Sequence, residues 1–332
     1  MHRGQKFLKT CNSKENPISV QNGPLNLHWI AVDPASRGIL QTCLKVKDTS
    51  ATLLIQGESG TGKDLLAGIL HHSSSRRDEP FLKIDASSLP AELMESELFG
   101  YEKGAFTGAY RRKEGKLEFA GQGTLVLDGL AELPLDTQAK LLRVIEEKSF
   151  ERLGGRETVQ LKARIVALAA EDLKEAVRVR RFREDLYFRL SVVPLVIPPL
   201  RDRRADIQPL VEHFIQSKRT AAGQPLKLSE DALRRLMAYH YPGNVRELKN
   251  LIDRAAALAE TDFLEARHFP AALLSGDPSE LFAGNPSLEE IERRYIALIL
   301  ESTHGRKGKA AAILGISRKT LLEKRKRYGL MG

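Results

Sequence analysis

The strongest constraint on this chain is the octapeptide Gly57-Glu58-Ser59-Gly60-Thr61-Gly62-Lys63-Asp64. It follows an apolar run, Thr52–Gln56, and precedes a helical pattern at Leu65, Leu66, Ile69 and Leu70. Glycines at this spacing let backbone N–H groups turn inward around phosphates. A lysine beside them reaches the outer phosphates, and the next helix offers its positive end. The whole octapeptide is therefore read as a nucleotide-binding loop. Asp64 stands where many such loops carry a Ser or Thr for Mg²⁺.

Four more apolar runs read as buried strands: Phe81–Asp85, Thr124–Asp128, Ala163–Leu168 and Val192–Ile197. The gaps between them are long enough for helices, so an α/β domain with a parallel sheet is expected over 27–204. Thr124–Asp128 ends in an acid, and that carboxylate is expected to hold the Mg²⁺ of an ATP complex. Residues 205–270 read as wholly helical, with Ser229 capping a helix whose first turn holds Glu230 and Asp231. Residues 1–26 read as a polar leader and 271–286 as a Gly/Pro/Ser linker.

Of 332 residues, only Cys11 and Cys43 are cysteines, which excludes a disulfide framework and fits a reducing cytoplasm. The longest apolar stretch is broken by Pro194, Pro198 and Pro199, so no membrane span is expected. The net charge is +9, and the last 32 residues carry +7 of it. A basic tip on a nearly neutral body points to nucleic acid. There, a second helix over Lys309–Leu314, a turn at Gly315-Ile316-Ser317 and a basic helix over Arg318–Tyr328 are expected, with Leu321 and Leu322 facing inward. His71-His72 is not read as a metal site, and Trp29 is read as core.

Gly104-Ala105-Phe106-Thr107-Gly108-Ala109, together with the phosphate loop and Tyr241-Pro242-Gly243-Asn244-Val245-Arg246-Glu247-Leu248, resembles the bacterial enhancer-binding activators of sigma-54 RNA polymerase. The resemblance implies an AAA+ domain, a helical lid and, over 287–332, a separate all-α helix-turn-helix of Fis type. Its implications are ATP and Mg²⁺ as cofactors, and a ring, hexameric in the family and of one chain type or mixed. Partners are sigma-54 polymerase, through the loop 104–109 with Phe106 and Thr107 foremost, and double-stranded upstream DNA. Arg183 or Arg189 would act on a neighbouring subunit's γ-phosphate, and Arg246 would sense nucleotide from the lid. Arg318, Lys319 and Thr320 would enter the major groove behind the Ser317 cap. Lys309, Lys324, Arg325 and Arg327 would add further DNA contacts. The 26 leading residues are too few for a receiver or ligand-sensing domain, so none is expected.

Three positions depart from the family. Asp128 is followed by Gly129 where the family carries the Glu that activates water, Asp85 replaces an Asn, and Ala169-Ala170 replaces a Thr-Asn sensor. Glu132 does not substitute, because relatives carry an acid there too. Hydrolysis is expected to be slow unless Asp85 orients the water. The alternative reading is a hydrolysis-deficient, ATP-sensing DNA-binding repressor or co-regulator.

Overall fold

The protein is described here by a computed structural model covering residues 21–22, 27–88, 90–216, 218–219, 224–270, 286–303 and 306–330. The expected leader, apart from residues 21–22, and the expected linker, apart from residue 286, lie outside the described residues.

Five strands form one parallel sheet: β1 (Leu53–Gln56), β2 (Phe81–Asp85), β3 (Thr124–Asp128), β4 (Arg164–Ala169) and β5 (Val193–Val196), in the order β5-β1-β4-β3-β2. All four pairings are parallel, and the register sets Asp85 beside Asp128. Alternation sorts the core. Leu54, Leu125, Leu127, Ile165 and Ala167 pack in one cluster. Leu53, Ile55, Val126, Val166, Leu168 and the predicted core residue Trp29 pack in another. A side-chain period of two sends neighbours to opposite faces, and helices must cover both.

Helix α1 (Pro34–Lys45) starts at Asp33, whose carboxylate accepts from the Ala35 amide, and α2 (Lys63–His72) follows the phosphate loop. Two antiparallel pairs not expected from the sequence, Gly100–Tyr101 with Lys113–Glu114 and Ser149–Glu151 with Thr158–Gln160, project from the helical connections.

The chain divides into two compact units. Of the described residues, the first holds those up to Leu210 together with Pro242–Glu247; the second holds those of 211–241 and those from Leu248 onward. The region read as wholly helical contains α3 (Ile207–Gln216), α4 (Glu230–Ala238) and α5 (Asn244–Leu258). It also holds two short strands, Lys227–Leu228 and Phe263–Leu264, paired in parallel. Two-residue strands carry no periodicity, so the pattern could not reveal them. Ser229 caps α4 by accepting from the Ala232 amide.

At the C-terminal end lie α6 (Leu288–Ser302), α7 (Lys307–Ile313) and α8 (Arg318–Arg327), around a small core of Ile296, Ile299, Ala310, Ala311 and Leu321. The expectation for Leu322 is corrected: Leu321 is buried, but Leu322 is half exposed. Adjacent helix residues diverge by about 100°, so only one of the pair can face a three-helix core. Among the described residues no helix is long and apolar enough to cross a membrane.

Candidate functional site

The phosphate loop is shaped by glycines where no other residue fits. Gly60 has φ +79°, and a Cβ on it would lie 2.2 Å from the Gly243 carbonyl oxygen. Gly62 has φ +109° and opens α2. The closeness of Gly60 to Gly243 lets residues 242–247 dock on the loop. The amides of Val245 and Arg246 both donate to the Gly60 carbonyl at 3.0 and 3.3 Å. Arg246 Nη1 donates to Ser59 Oγ at 3.0 Å. The sensor arginine expected from the sequence therefore stands at the loop.

Three side chains that the sequence reading did not assign complete this docking. Asn244, fully buried with φ +54°, donates to Glu58 Oε2 and to the Ser59 carbonyl, both at 3.0 Å, and accepts from the Leu200 amide. Arg201 grips the same Glu58 carboxylate with both terminal nitrogens. These hydrogen bonds, Arg201 first and Asn244 second, hold the Glu58 carboxyl below its usual range. Buried Arg203 donates to the Thr61 carbonyl at 2.7 Å, and Thr61 Oγ1 donates to the Glu58 carbonyl. Glu58 and Thr61 thus shape the loop from within.

Lys63 is buried and donates to the carbonyls of Gly57 and Glu58 at 2.7 and 3.1 Å. Burial lowers its pKa, against the pull of Asp128 and Asp64. The two carbonyls occupy the ammonium's donors where the anionic oxygens of bound phosphates would otherwise accept.

Asp85 and Asp128 end neighbouring strands, and Asp64 stands in the first turn of α2. Asp128 accepts from the Gly129 amide at 2.9 Å, and Lys83 of β2 bridges Asp128 (2.8 Å) and Asp64. Burial would lower the Lys83 pKa, but its hydrogen bonds to Asp128 and Asp64 outweigh that and raise it. Asp85 Oδ1 accepts from the Ser87 amide (3.0 Å) and hydroxyl (2.6 Å), and chiefly the hydroxyl holds its pKa down. Gly129 has φ +67°, and a Cβ there would lie 3.5 Å from Asp85 Oδ1. A carboxylate from the neighbouring strand therefore stands beside the position where the expected Glu is missing. Among the described residues no group of three His, Cys, Asp or Glu forms a metal cluster. Mg²⁺ commonly takes one or two carboxylates and completes its shell with phosphates and water. Asp64 and Asp128, which already share one cation, fit that role.

His71 is core: Nδ1 meets Thr124 Oγ1 at 2.9 Å, and burial pushes its pKa down to about 4. Of the two finger candidates, Arg183 is paired with Asp185 through both Nε and Nη2. Arg189 is exposed, and no ion pair holds it among the described residues.

The segment 104–109 forms a closed loop on the first antiparallel pair. The Gly104 amide donates to the Ala109 carbonyl at 2.8 Å and the Ala109 amide to Phe106 at 3.0 Å. Gly104 and Gly108 have positive φ with open space about them, Ala109 is buried, and Ala105 lies against Gly154. Phe106 stays 46% exposed, its ring edge-on to Tyr101, and Thr107 is exposed beside it. The loop base is tied down by buried Arg152, which pairs with Glu102, Glu118 and Glu157. A wholly enclosed guanidinium needs such partners. The segment is thus a braced loop with an apolar tip in water.

In the helix-turn-helix, Ser317 caps α8 through the Thr320 amide at 3.0 Å, Lys309 and Lys319 are exposed, and Arg318 is exposed over Gly308. The other expected phosphate contacts are engaged differently. Lys324 pairs with Glu292, Arg327 pairs with Glu289, and Arg325 is buried and donates to the Leu330 carbonyl. The sequence shows charge but not these partners: the two acids come from α6, and the Leu330 carbonyl from the segment that follows α8.

Comparison with known proteins identifies the domains. Residues 29–196 match the sigma-54 interaction domain, 201–283 the AAA+ ATPase lid domain, and 287–328 the bacterial regulatory protein, Fis family. The regulatory protein AtoC of Escherichia coli is 41% identical over 91% of this chain and 68% of its own. The Nif-specific regulatory protein of Klebsiella pneumoniae is 42% identical over 87% of this chain, which spans 56% of that protein. Crystal structures of NtrX from Brucella abortus superpose with TM-scores of 0.69 (ADP complex, 35% identity) and 0.67 (ATP complex, 33% identity), each covering 90% of this chain and 69% of the other. A nucleotide-binding AAA+ core, its lid and a Fis-type module in one chain place this protein in the family of bacterial regulators built on the sigma-54 interaction domain.

Proposed function

We propose that this chain is a sigma-54-dependent transcription activator that binds ATP with Mg²⁺ and remodels the closed complex of sigma-54 polymerase. The carrying observation is that the braced loop 104–109, with Phe106 exposed at its tip, belongs to the same compact unit as a phosphate loop on which Asn244 and Arg246 are docked. The loop 57–64 binds the phosphates. Asp128, with Asp64, would hold Mg²⁺, which would supply charge neutralisation to the phosphates. Lys63 exchanges the Gly57 and Glu58 carbonyls for phosphate oxygens, and Arg246 reads the nucleotide state. Arg183, once freed from Asp185, or Arg189 reaches the next subunit of a ring, a hexamer by kinship. Lys309, Ser317, Arg318, Lys319 and Thr320 face upstream DNA, and Lys324, Arg325 and Arg327 support α8 while Lys324 and Arg327 remain near its surface. The work takes place with the polymerase, in the cytoplasm.

Hydrolysis in this reading depends on Asp85 to orient the attacking water, because position 129 offers no side chain. Open-complex formation on a sigma-54 promoter, with ATP against a non-hydrolysable analogue, tests the proposal. Opening with ATP alone supports it. Binding of promoter DNA and ATP with no opening in either case overturns it in favour of a co-regulator.

A further inference from the structure

The side chain of Lys83 lies where a cation belongs. It leaves β2 in register with Val126 and reaches Asp128 at the end of β3 and Asp64 in the first turn of α2. Asp64 and Asp128 are brought together by the strand–loop–helix geometry and both aim at one point. Two carboxylates in that position attract any free divalent ion. An ammonium ion hydrogen-bonded to both removes one unit of the charge, takes up an oxygen of each acid and repels a second cation from the same notch. Lys63 is close enough for both acids to act on its charge, but its ammonium is turned onto the Gly57 and Glu58 carbonyls, so Lys83 is the one that bridges them.

We propose that Lys83 is a resident counter-ion: it keeps free Mg²⁺ out of the nucleotide-free site and yields Asp64 and Asp128 only to a metal that arrives on nucleotide phosphates. The proposal rests on the nucleotide-site reading above and adds an order of events to it. A metal-first route is closed, so the site does not fill with Mg²⁺ while waiting for nucleotide. A metal carried on nucleotide phosphates would bring charge that lets Lys83 leave Asp64 and Asp128. The released ammonium then faces phosphates in place of carboxylates.

The test is a titration of the full-length, nucleotide-free protein with Mn²⁺, read as loss of the free-Mn²⁺ electron paramagnetic resonance signal. Lys83→Met is expected to bind Mn²⁺ about tenfold more tightly than wild type, and Lys83→Arg to stay with wild type. Adding Asp64→Asn to Lys83→Met should abolish the gain and so place the ion. A second readout is the affinity for a fluorescent ATP analogue with Mg²⁺ and with EDTA. Chelation should weaken binding more in Lys83→Met than in wild type, because the mutant lacks the cation that bridges Asp64 and Asp128. If Lys83→Met does not melt cooperatively, Lys83→Gln replaces it. Mn²⁺ affinities within twofold of wild type in the charge-removing variant overturn the proposal and leave an ordinary surface ion pair. Failure of the wild type to bind the analogue under any condition defeats the nucleotide reading instead, and the Mn²⁺ titration still judges Lys83.

Discussion

The carboxylate of Glu58 and the guanidinium of Arg201 meet side-on, Nη1 to Oε2 at 2.9 Å and Nη2 to Oε1 at 2.5 Å. Asn244 shares Oε2, so one acid inside the phosphate loop ties together the segment after β5 and residues 242–247. Both partners are more than one-third exposed, so solvent discounts the pair to about 0.5–1 kcal/mol of coupling despite its bidentate geometry. A double-mutant cycle of Glu58→Gln and Arg201→Gln in urea unfolding should return that coupling. ATP affinity should fall several-fold in either single variant, measured by the same fluorescent analogue. Additive effects would show that the two residues act independently.

Gly60 and Gly108, one from each functional loop, answer differently to a methyl group. Gly60→Ala sets a Cβ against the Gly243 carbonyl oxygen at a positive φ, so strain and collision combine. A loss of about 3 kcal/mol and weakened ATP binding are expected. Gly108→Ala meets open space and bears only the cost of its φ, about 1 kcal/mol, and should keep full ATP affinity. Thermal melts with and without nucleotide distinguish them; equal losses would mean that residues 242–247 are not docked in solution.

The displaced acid predicts an order of ATPase rates. Asp85→Asn should lower turnover by about tenfold or more, since it removes the only acid proposed to orient water. Gly129→Glu alone should raise turnover little, because the new carboxylate grows out beside Asp85 and like charges resist each other. The double variant Asp85→Asn/Gly129→Glu removes that conflict and should be the fastest of the four. Steady-state phosphate release checks the ranking. A double variant no faster than Gly129→Glu would remove Asp85 from the site chemistry.

His71 makes stability depend on pH. The unfolded imidazole takes its proton near pH 6.5 and the buried one only near 4. Between those values the unfolded chain holds more protons, so acid favours unfolding. The contribution is complete above pH 6.5, is lost as pH falls toward 4 and is flat below. Its size is on the order of 3 kcal/mol. Wild type minus His71→Gln, followed by urea unfolding from pH 7 to 4, should narrow by that amount. A constant difference would show that His71 titrates normally.

Lys319 and Arg325 separate DNA contact from folding within one helix. Lys319→Ala should reduce the salt dependence of promoter binding by about one ion and leave melting unchanged. Arg325→Ala removes a buried donor from the Leu330 carbonyl and should destabilise the helix-turn-helix by about 1–3 kcal/mol. Fluorescence anisotropy at several salt concentrations and calorimetry together read both effects.

Local pattern alone carried much of this protein. The five strands stand within a residue of their apolar runs; β1, β3 and β4 are buried on both faces, as continuous apolar sequence demands, whereas the edge strands β2 and β5, also read as buried, leave Phe81 and Val196 exposed. The phosphate loop, the Ser229 and Ser317 caps and the exposed 104–109 tip were legible for a like reason: each depends on residues a few positions apart. The missing acid at Gly129 came only from the family resemblance, and its place beside Asp85 from the register of β2 on β3.

What the tertiary structure alone decided is which charges meet. Glu58 and Arg201 are 143 positions apart, Asp128 and Lys83 lie on different strands, and Arg327 and Glu289 lie on different helices. A charged residue looks the same in sequence whether it faces water, DNA or an opposite charge. Its role depends on distance and desolvation, which exist only once the chain has closed. For that reason Lys324, Arg325 and Arg327 read as one basic face, while the fold gives two of them acidic partners and buries the third.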